Sequence, residues 1–252
     1  MLKLIKATTK DERDAINTFL NRHNQRGYGS RTGYIAYYAA ITNTDDLPLI
    51  DRIRCAAKIC PLHTPQAARF FAGPYWRHVY NVQRLAAIRT EYNDLSRFVG
   101  FCLREIGNDP KVWFVCSYAD TGIFDSRTGL PHNGGIYRAT NAIYAGLSTP
   151  GGIEGYIHNG QRFSMRKGPK TLRKAEIPAG SRILRKTAKH RYVWAVGPPI
   201  KRSVRRLWLM RRFHTLKFVP AVQPMLLMEN LYALGRSLVQ RAATYANLGH
   251  NR

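Results

Sequence analysis

Carboxylates are scarce in this chain: its 252 residues carry 15 Asp and Glu against 40 Lys and Arg, a formal net charge of +25 at pH 7. Folding has no use for such an excess, because like charges oppose compaction. Solubility alone needs less, so the imbalance points to a polyanionic partner. Cysteine is equally sparse. Cys55, Cys60, Cys102 and Cys116 form no Cys-x-x-Cys pair, and three of them sit in apolar stretches as small core residues do. No apolar run reaches the length of a membrane span, and the opening MLKLIKATTKDERD lacks the apolar segment of a signal peptide. A soluble, intracellular protein with reduced thiols is expected, with no membrane partner and no internal repeat.

What is present is an ordinary globular mixture, 44% hydrophobic and 22% charged, long enough for one large domain or a medium domain with an appendage. The charge is uneven. Residues 1–150 hold 19 basic and 12 acidic side chains, residues 151–252 hold 21 and 3, so the second part carries the electrostatic footprint. A boundary near residue 197 is expected, leaving 198–252 as a basic, amphipathic, helical extension. In it KRSVRRLWLMRRFHTLKF interleaves arginine with apolar residues. It suits either a phosphate-gripping helix or a helix packed on the core with arginines reaching outward.

LKLIKAT reads as a strand, and Thr9 before KDERDAINTFLNRHN reads as an N-capped helix. RTGYIAYYAAI and RIRCAAKIC are strands that could pair as a hairpin across a long loop, and VYNVQRLAAI is another strand. Residues 61–78, with three prolines, read as irregular or partly helical. In NDLSRFVGFCLREIG the apolar residues Leu95, Phe98, Val99, Cys102 and Ile106 recur at helical spacing, with Asp94 as cap and Gly107 as stop. KVWFVC is a continuous apolar run that suits a central strand covered on both faces. Asn159-Gly160 suits a tight hairpin turn. The order predicts an α/β fold with antiparallel entry, a parallel central pair and a helical crossover between its members.

The chemistry-bearing stretch follows the central strand. Ser117-Tyr118-Ala119-Asp120 is expected at its carboxyl end, where open α/β sheets collect ligands. An aspartate there can accept a proton, or simply cap a turn. GGIYRATNAIYAG reads as a helix placing Tyr137, Asn141 and Tyr144 on one face and Ile136, Ile143 and Leu147 on another. The polar face suits recognition of a heteroaromatic with hydrogen-bonding edges, or packing at an interface.

These residues resemble the Mom family of phage DNA modification proteins, which belong to the GNAT acyltransferase superfold. The resemblance is carried by Tyr118, Ala119, Asp120, His132, Gly134, Tyr137, Ala139, Asn141, Tyr144 and Gly146. It extends back to Asn93, Ser96 and Arg97 and forward to Lys189, His190, Arg191, Tyr192 and Val193. It spans residues 1–197 and is dense from 93 to 146. Two departures stand out: residues 121–130 lengthen the loop after Asp120, and Ala142 replaces a common tryptophan.

The resemblance implies a GNAT-like mixed central sheet flanked by helices. It also implies an enzyme that converts the N6 amine of adenine in double-stranded phage DNA to a carbamoylmethyl derivative, in the bacterial host cytoplasm, against restriction. Asp120, Tyr118 and His23, the last as the family's early histidine, become catalytic candidates. Ser96, Arg97, Ser117, His132, Tyr137, Asn141 and Tyr144 become substrate-binding candidates. The basic segment Arg166, Lys167, Lys170, Arg173, Lys174, Arg185, Lys186, Lys189, His190 and Arg191 is expected to grip phosphates. His23 with Asp120 does not establish a metal site. The donor is a small-molecule or carrier-bound group of unidentified kind. Acetyl-CoA is disfavoured, because RTEYNDLSR lacks the glycine-rich pyrophosphate loop of ordinary GNAT enzymes. The rival readings are a conventional acyltransferase acting on protein or tRNA and a noncatalytic nucleic-acid-binding protein.

Overall fold

The computed structural model describes residues 2–23, 35–44, 46–62, 64–88, 90–91, 93–121, 133–149, 151–167 and 170–216. His132, most of the lengthened loop and the chain from 217 onward lie outside the described residues.

Strand β1 (Lys3–Lys6) leads into helix α1 (Lys10–His23). The Thr9 hydroxyl accepts the Glu12 N–H at 3.2 Å and the Glu12 carboxylate accepts the Thr9 N–H at 3.0 Å, a reciprocal cap that fixes the helix start. β2 (Ala36–Ile41), the single turn α2 (Leu49–Arg52) and β3 (Ile53–Pro61) form the expected antiparallel hairpin. The proline-rich stretch is helical: α3 (Pro65–Ala72) and a 3-10 turn (Gly73–His78) precede β4 (Val79–Ala87). α4 (Asp94–Gly107) then crosses to β5 (Phe114–Asp120).

After β5 come α5 (Gly135–Ala139), β6 (Ile143–Leu147), β7 (Ile153–His158) and β8 (Gln161–Ser164). β7 and β8 turn at Asn159 (φ 49°) and Gly160 (φ 76°), as Asn-Gly predicts. The two-residue strands β9 (Arg166–Lys167) and β10 (Lys170–Thr171), then β11 (Arg182–Arg185), β12 (Lys189–Ala195) and α6 (Pro199–Phe213) complete the order.

The main sheet has seven strands in the order β1-β2-β3-β4-β5-β12-β6. Every pair is antiparallel except β4–β5, which is parallel. With helices on both faces this is the expected GNAT-like mixed α/β arrangement. On one face α4 buries Phe98, Val99, Cys102 and Ile106 against Cys55, Ala57, Val115 and Ala119. On the other, Ile16, Phe19 and Leu20 of α1 cover Ala39, Ala56 and Ala86, while Phe71 of α3 and Leu209 and Phe213 of α6 cover Phe114, Cys116 and Val193. β11, β7 and β8 form a separate three-stranded sheet.

Two local expectations are corrected. Residues 117–120 do not follow the central strand; they are its second half, because β12 pairs with β5 without interruption from Ala195↔Phe114 to Lys189↔Asp120. The helix expected over 134–146 ends at Ala139: Asn141 takes a left-handed conformation (φ 61°), and Ile143 and Tyr144 pair with Val193 and Tyr192. Tyr137, Asn141 and Tyr144 therefore share no helix face, and neither do Ile136, Ile143 and Leu147. Gly107 ends α4, as expected, although Asn108 after it keeps right-handed angles. Its use is steric: a Cβ there would lie 2.8 Å from the backbone nitrogen of Gly197.

α6 lies in the compact unit Met1–Phe218. Its arginines act as staples. Arg205 donates to the Val196 carbonyl at 2.6 Å, Arg206 to that of Asn141 at 2.8 Å, and Arg212 to that of Phe70 at 3.0 Å. This favours the packed-helix reading over the phosphate-gripping one for residues 199–213.

Candidate functional site

The ladder between β4 and β5 runs from Val79↔Phe114 only to Asn81↔Cys116. Both strands continue, β4 paired to β3 through Ala87 and β5 to β12 through Asp120. A register shift between Lys58 and Ile59 marks a bulge in β4 at Gln83, between Val82 and Arg84, and a bulge turns a strand away from its neighbour. The result is a gap in the middle of the sheet, bordered on the β5 side by Ser117 to Asp120.

Strand alternation sends these four residues to opposite faces. Ala119 belongs to the α4 core, and Tyr118 packs with the α3 cluster. On the α4 face Ser117 hydrogen-bonds Tyr137, which opposes the upward push of burial on the Tyr137 hydroxyl. The Tyr137 ring stands 5.3 Å from Tyr192 and 5.5 Å, edge on, from Trp194. Tyr144 stands 5.6 Å from Tyr192, and its hydroxyl lies 3.1 Å from Nδ1 of His190. Two side chains of β12 hold the α5 segment down: Tyr192 donates to the Asn133 carbonyl and Trp194 to that of Thr140 at 3.0 Å. Gly134 (φ 71°) lets the chain pass, since a Cβ there would lie 2.4 Å from the Tyr192 ring.

On the other face Asp120, 5% exposed, accepts a hydrogen bond from Thr187 and lies 3.6 Å from Nζ of Lys189. Tyr118 meets Phe71 edge on at 5.9 Å, and burial pushes its hydroxyl well above the usual range, with Arg191 opposing. The Arg191 guanidinium lies 3.8 Å over the Phe70 ring and donates to the Leu147 carbonyl at 2.9 Å. Burial pushes Arg191 down in pKa, and the nearby tyrosines Tyr118 and Tyr144 oppose this.

The structure thus gathers Ser117, Tyr137 and Tyr144 with His190 on one face, and Tyr118 and Asp120 with Lys189 and Arg191 on the other. Asn141 is in the turn between α5 and β6, its carbonyl taken by Arg206. Ser96 and Arg97 are in the first turn of α4, where Ser96 donates to the Asn93 carbonyl at 2.9 Å. His23 ends α1 with its ring 4.6 Å from Phe19, and α1 packs on β2, β3 and β4. No cluster of three metal-ligating side chains occurs among the described residues.

The basic segment divides as well. Arg173, Lys174, Arg185 and Lys186 are exposed; Lys189 and Arg191 are half-buried and engaged inward; His190 is 1% exposed. Arg166, Lys167 and Lys170 are described as backbone only. Sequence reasoning missed Thr187, Tyr192 and Trp194 as parts of the site. Alternation along KHRYVWA was the signal available for the last two, since it puts Tyr192 and Trp194 on one face.

The start of α4 is where a GNAT-type pyrophosphate would lie. Here the Asp94 carboxylate accepts the Glu91 N–H at 3.0 Å, and Asn93 rather than Asp94 holds the cap position (φ 68°). Two acidic residues and no glycine do not fit a pyrophosphate, which needs bare N–H groups and positive charge.

Solved structures similar in shape include Arabidopsis thaliana NAA60 in complex with acetyl-CoA, at TM-score 0.47 and 8% identity over 77% of this chain and 98% of that one. Spermidine N-acetyltransferase from Vibrio cholerae, in complex with CoA and spermine, gives TM-score 0.42 and 9% identity over 77% and 95% of the two chains. A comparison with curated proteins gives no match. Fold and sheet order define a GNAT-like protein. Within that class the chain belongs to the Mom protein family, whose family model matches residues 59–213, from β3 to the end of α6.

Proposed function

We propose that this protein modifies adenine in phage DNA at N6, adding a carbamoylmethyl-type group that protects the DNA from host restriction. The observation that carries the reading is the Mom family match over 59–213, which includes every strand bordering the gap. The surplus of basic side chains supports a DNA substrate, with exposed Arg173, Lys174, Arg185 and Lys186 as phosphate contacts.

The exocyclic amine of adenine is a weak nucleophile, because its lone pair is delocalised into the ring. A base that takes a proton as attack develops assists it. Asp120 is that base in this proposal, oriented by Lys189 and Thr187. Adenine leaves the stack to reach it, at a cost of roughly a few kcal/mol. In this proposal the base lodges where β4 and β5 part, with Asp120 and Tyr118 on one face of the sheet and the Ser117, Tyr137 and Tyr144 group on the other. The acidic start of α4 disfavours the conventional acyl-CoA reading. Mass spectrometry of nucleosides from DNA of cells expressing the chain tests the proposal: a modified deoxyadenosine is expected. Unaltered deoxyadenosine, with soluble folded protein present, defeats it.

A further inference from the structure

In β3 a lysine interrupts an apolar run, CAAKIC, and its side chain is wholly buried: Lys58 is 0% exposed. Directly opposite on β4 stands Arg84, 3% exposed. Two cations in register on adjacent strands repel one another, and burial strips both of the water that would screen them. Arg84 is partly held, one terminal nitrogen donating to Asn21 Oδ1 at 2.6 Å and the other to the Leu20 carbonyl at 3.0 Å. Its Nε and the Lys58 ammonium have no hydrogen-bond partner among the described residues. The Lys58 ammonium lies 5.5 Å from the centre of the Tyr37 ring.

Burial, aided by Arg84, pushes Lys58 down in pKa. Loss of its proton would not resolve the arrangement, because Arg84 stays charged and its Nε–H stays orphaned. An acceptor-only, negatively charged group answers both donors at once. By register the pair lies on the side of the sheet that carries Asp120. Lys58 shares its face of β3 with Cys60, which pairs with Asn81; Asn81 pairs in turn with Cys116, which shares its face of β5 with Tyr118 and Asp120. Arg84 lies on the stretch of β4 that has parted from β5.

We infer that Lys58 and Arg84 form a binding site for a compact oxyanion, a carboxylate or a phosphate, at the β4 wall of the gap and on the face that carries Asp120. The site stands on this chain's own geometry and does not depend on the proposed reaction.

The test is thermal unfolding of the full chain titrated with inorganic phosphate or sodium acetate, against sodium chloride at the same ionic strength. A saturable rise in the unfolding midpoint is expected with at least one of the two oxyanions, and the pair of titrations tells phosphate from carboxylate. Lys58→Met weakens that response about ten-fold or more; Lys58→Arg, which keeps the charge, retains it; Lys10→Met, at an exposed site, leaves it unchanged. A wild-type response no larger than that to chloride, or a Lys58→Met response equal to wild type, overturns the inference. If Lys58→Met does not fold, carbon NMR of the lysine Cε groups in the wild type decides, with Lys58→Arg identifying the Lys58 signal: that signal must move saturably with oxyanion, and a fixed signal overturns the inference.

Discussion

Asp120 and Lys189 face each other at the last rung of the β5–β12 ladder, Nζ lying 3.6 Å from Oδ2 while the Thr187 hydroxyl donates to Oδ1. The carboxylate is nearly buried and the lysine half-buried, so the pair is worth more than a surface contact and less than a fully sealed one. Lys189→Met removes the cation and leaves the carboxylate with less compensation. A loss of about 1–3 kcal/mol is expected in urea unfolding at pH 7. Asp120→Asn combined with Lys189→Met should recover part of it, and strictly additive losses would show that the two do not interact.

For the reaction itself, Asp120→Asn keeps the shape and the Thr187 contact and removes the proton acceptor. Modification of deoxyadenosine should fall by roughly two to four orders of magnitude. Duplex binding by the same variant, followed by fluorescence anisotropy, should stay within about two-fold, since one inward carboxylate adds little to the field felt by DNA. Undiminished modification removes Asp120 from proton transfer.

Gly134 is held at φ 71° against the Tyr192 ring, 2.4 Å from where a Cβ would stand. Gly134→Ala combines left-handed strain with a clash against a buried ring that is itself bonded to Asn133. A destabilisation of at least about 2 kcal/mol is expected in chemical unfolding. Gly160→Ala, with a similar φ of 76° and open space around it, should cost less. Equal losses would mean that the Tyr192 contact is unimportant.

Alkaline pH gives a signed test. Burial raises the Cys55 thiol from 9.0 to about 12. Above 9 the unfolded chain releases this proton while the folded chain keeps it, so stability is full below 9 and declines as pH rises toward 12. The slope approaches roughly 1.4 kcal/mol per pH unit for one such group. Lys58, whose pKa is lowered, contributes with the opposite sign. Stability measured at pH 8 and 10 should therefore drop less in Cys55→Ala than in wild type. An identical drop excludes the thiol as its source.

Much of the fold was readable from local signals. The Thr9 cap, the Asn159-Gly160 turn and the apolar stripe of α4 each involve residues a few positions apart, and each formed where read. Tyr144 shows the limit. Its spacing from Tyr137 and Asn141 fits a helix, yet Asn141 adopts a left-handed turn and Tyr144 joins a strand beside Tyr192. That choice rests on hydrogen bonds to β12, about fifty residues further along, which no local window contains. The same pairing carried β5 on through Asp120.

Composition and motif were enough to indicate a strongly basic member of the Mom family, because charge and local residue pattern are properties of the chain before it folds. Which face of β5 each polar group meets is different. It depends on register, and register emerges only when distant strands pair: Lys189 is set opposite Asp120, Tyr192 opposite Ser117, and Lys58 opposite Arg84. A shift of one residue would turn each of these side chains to the other side of the sheet.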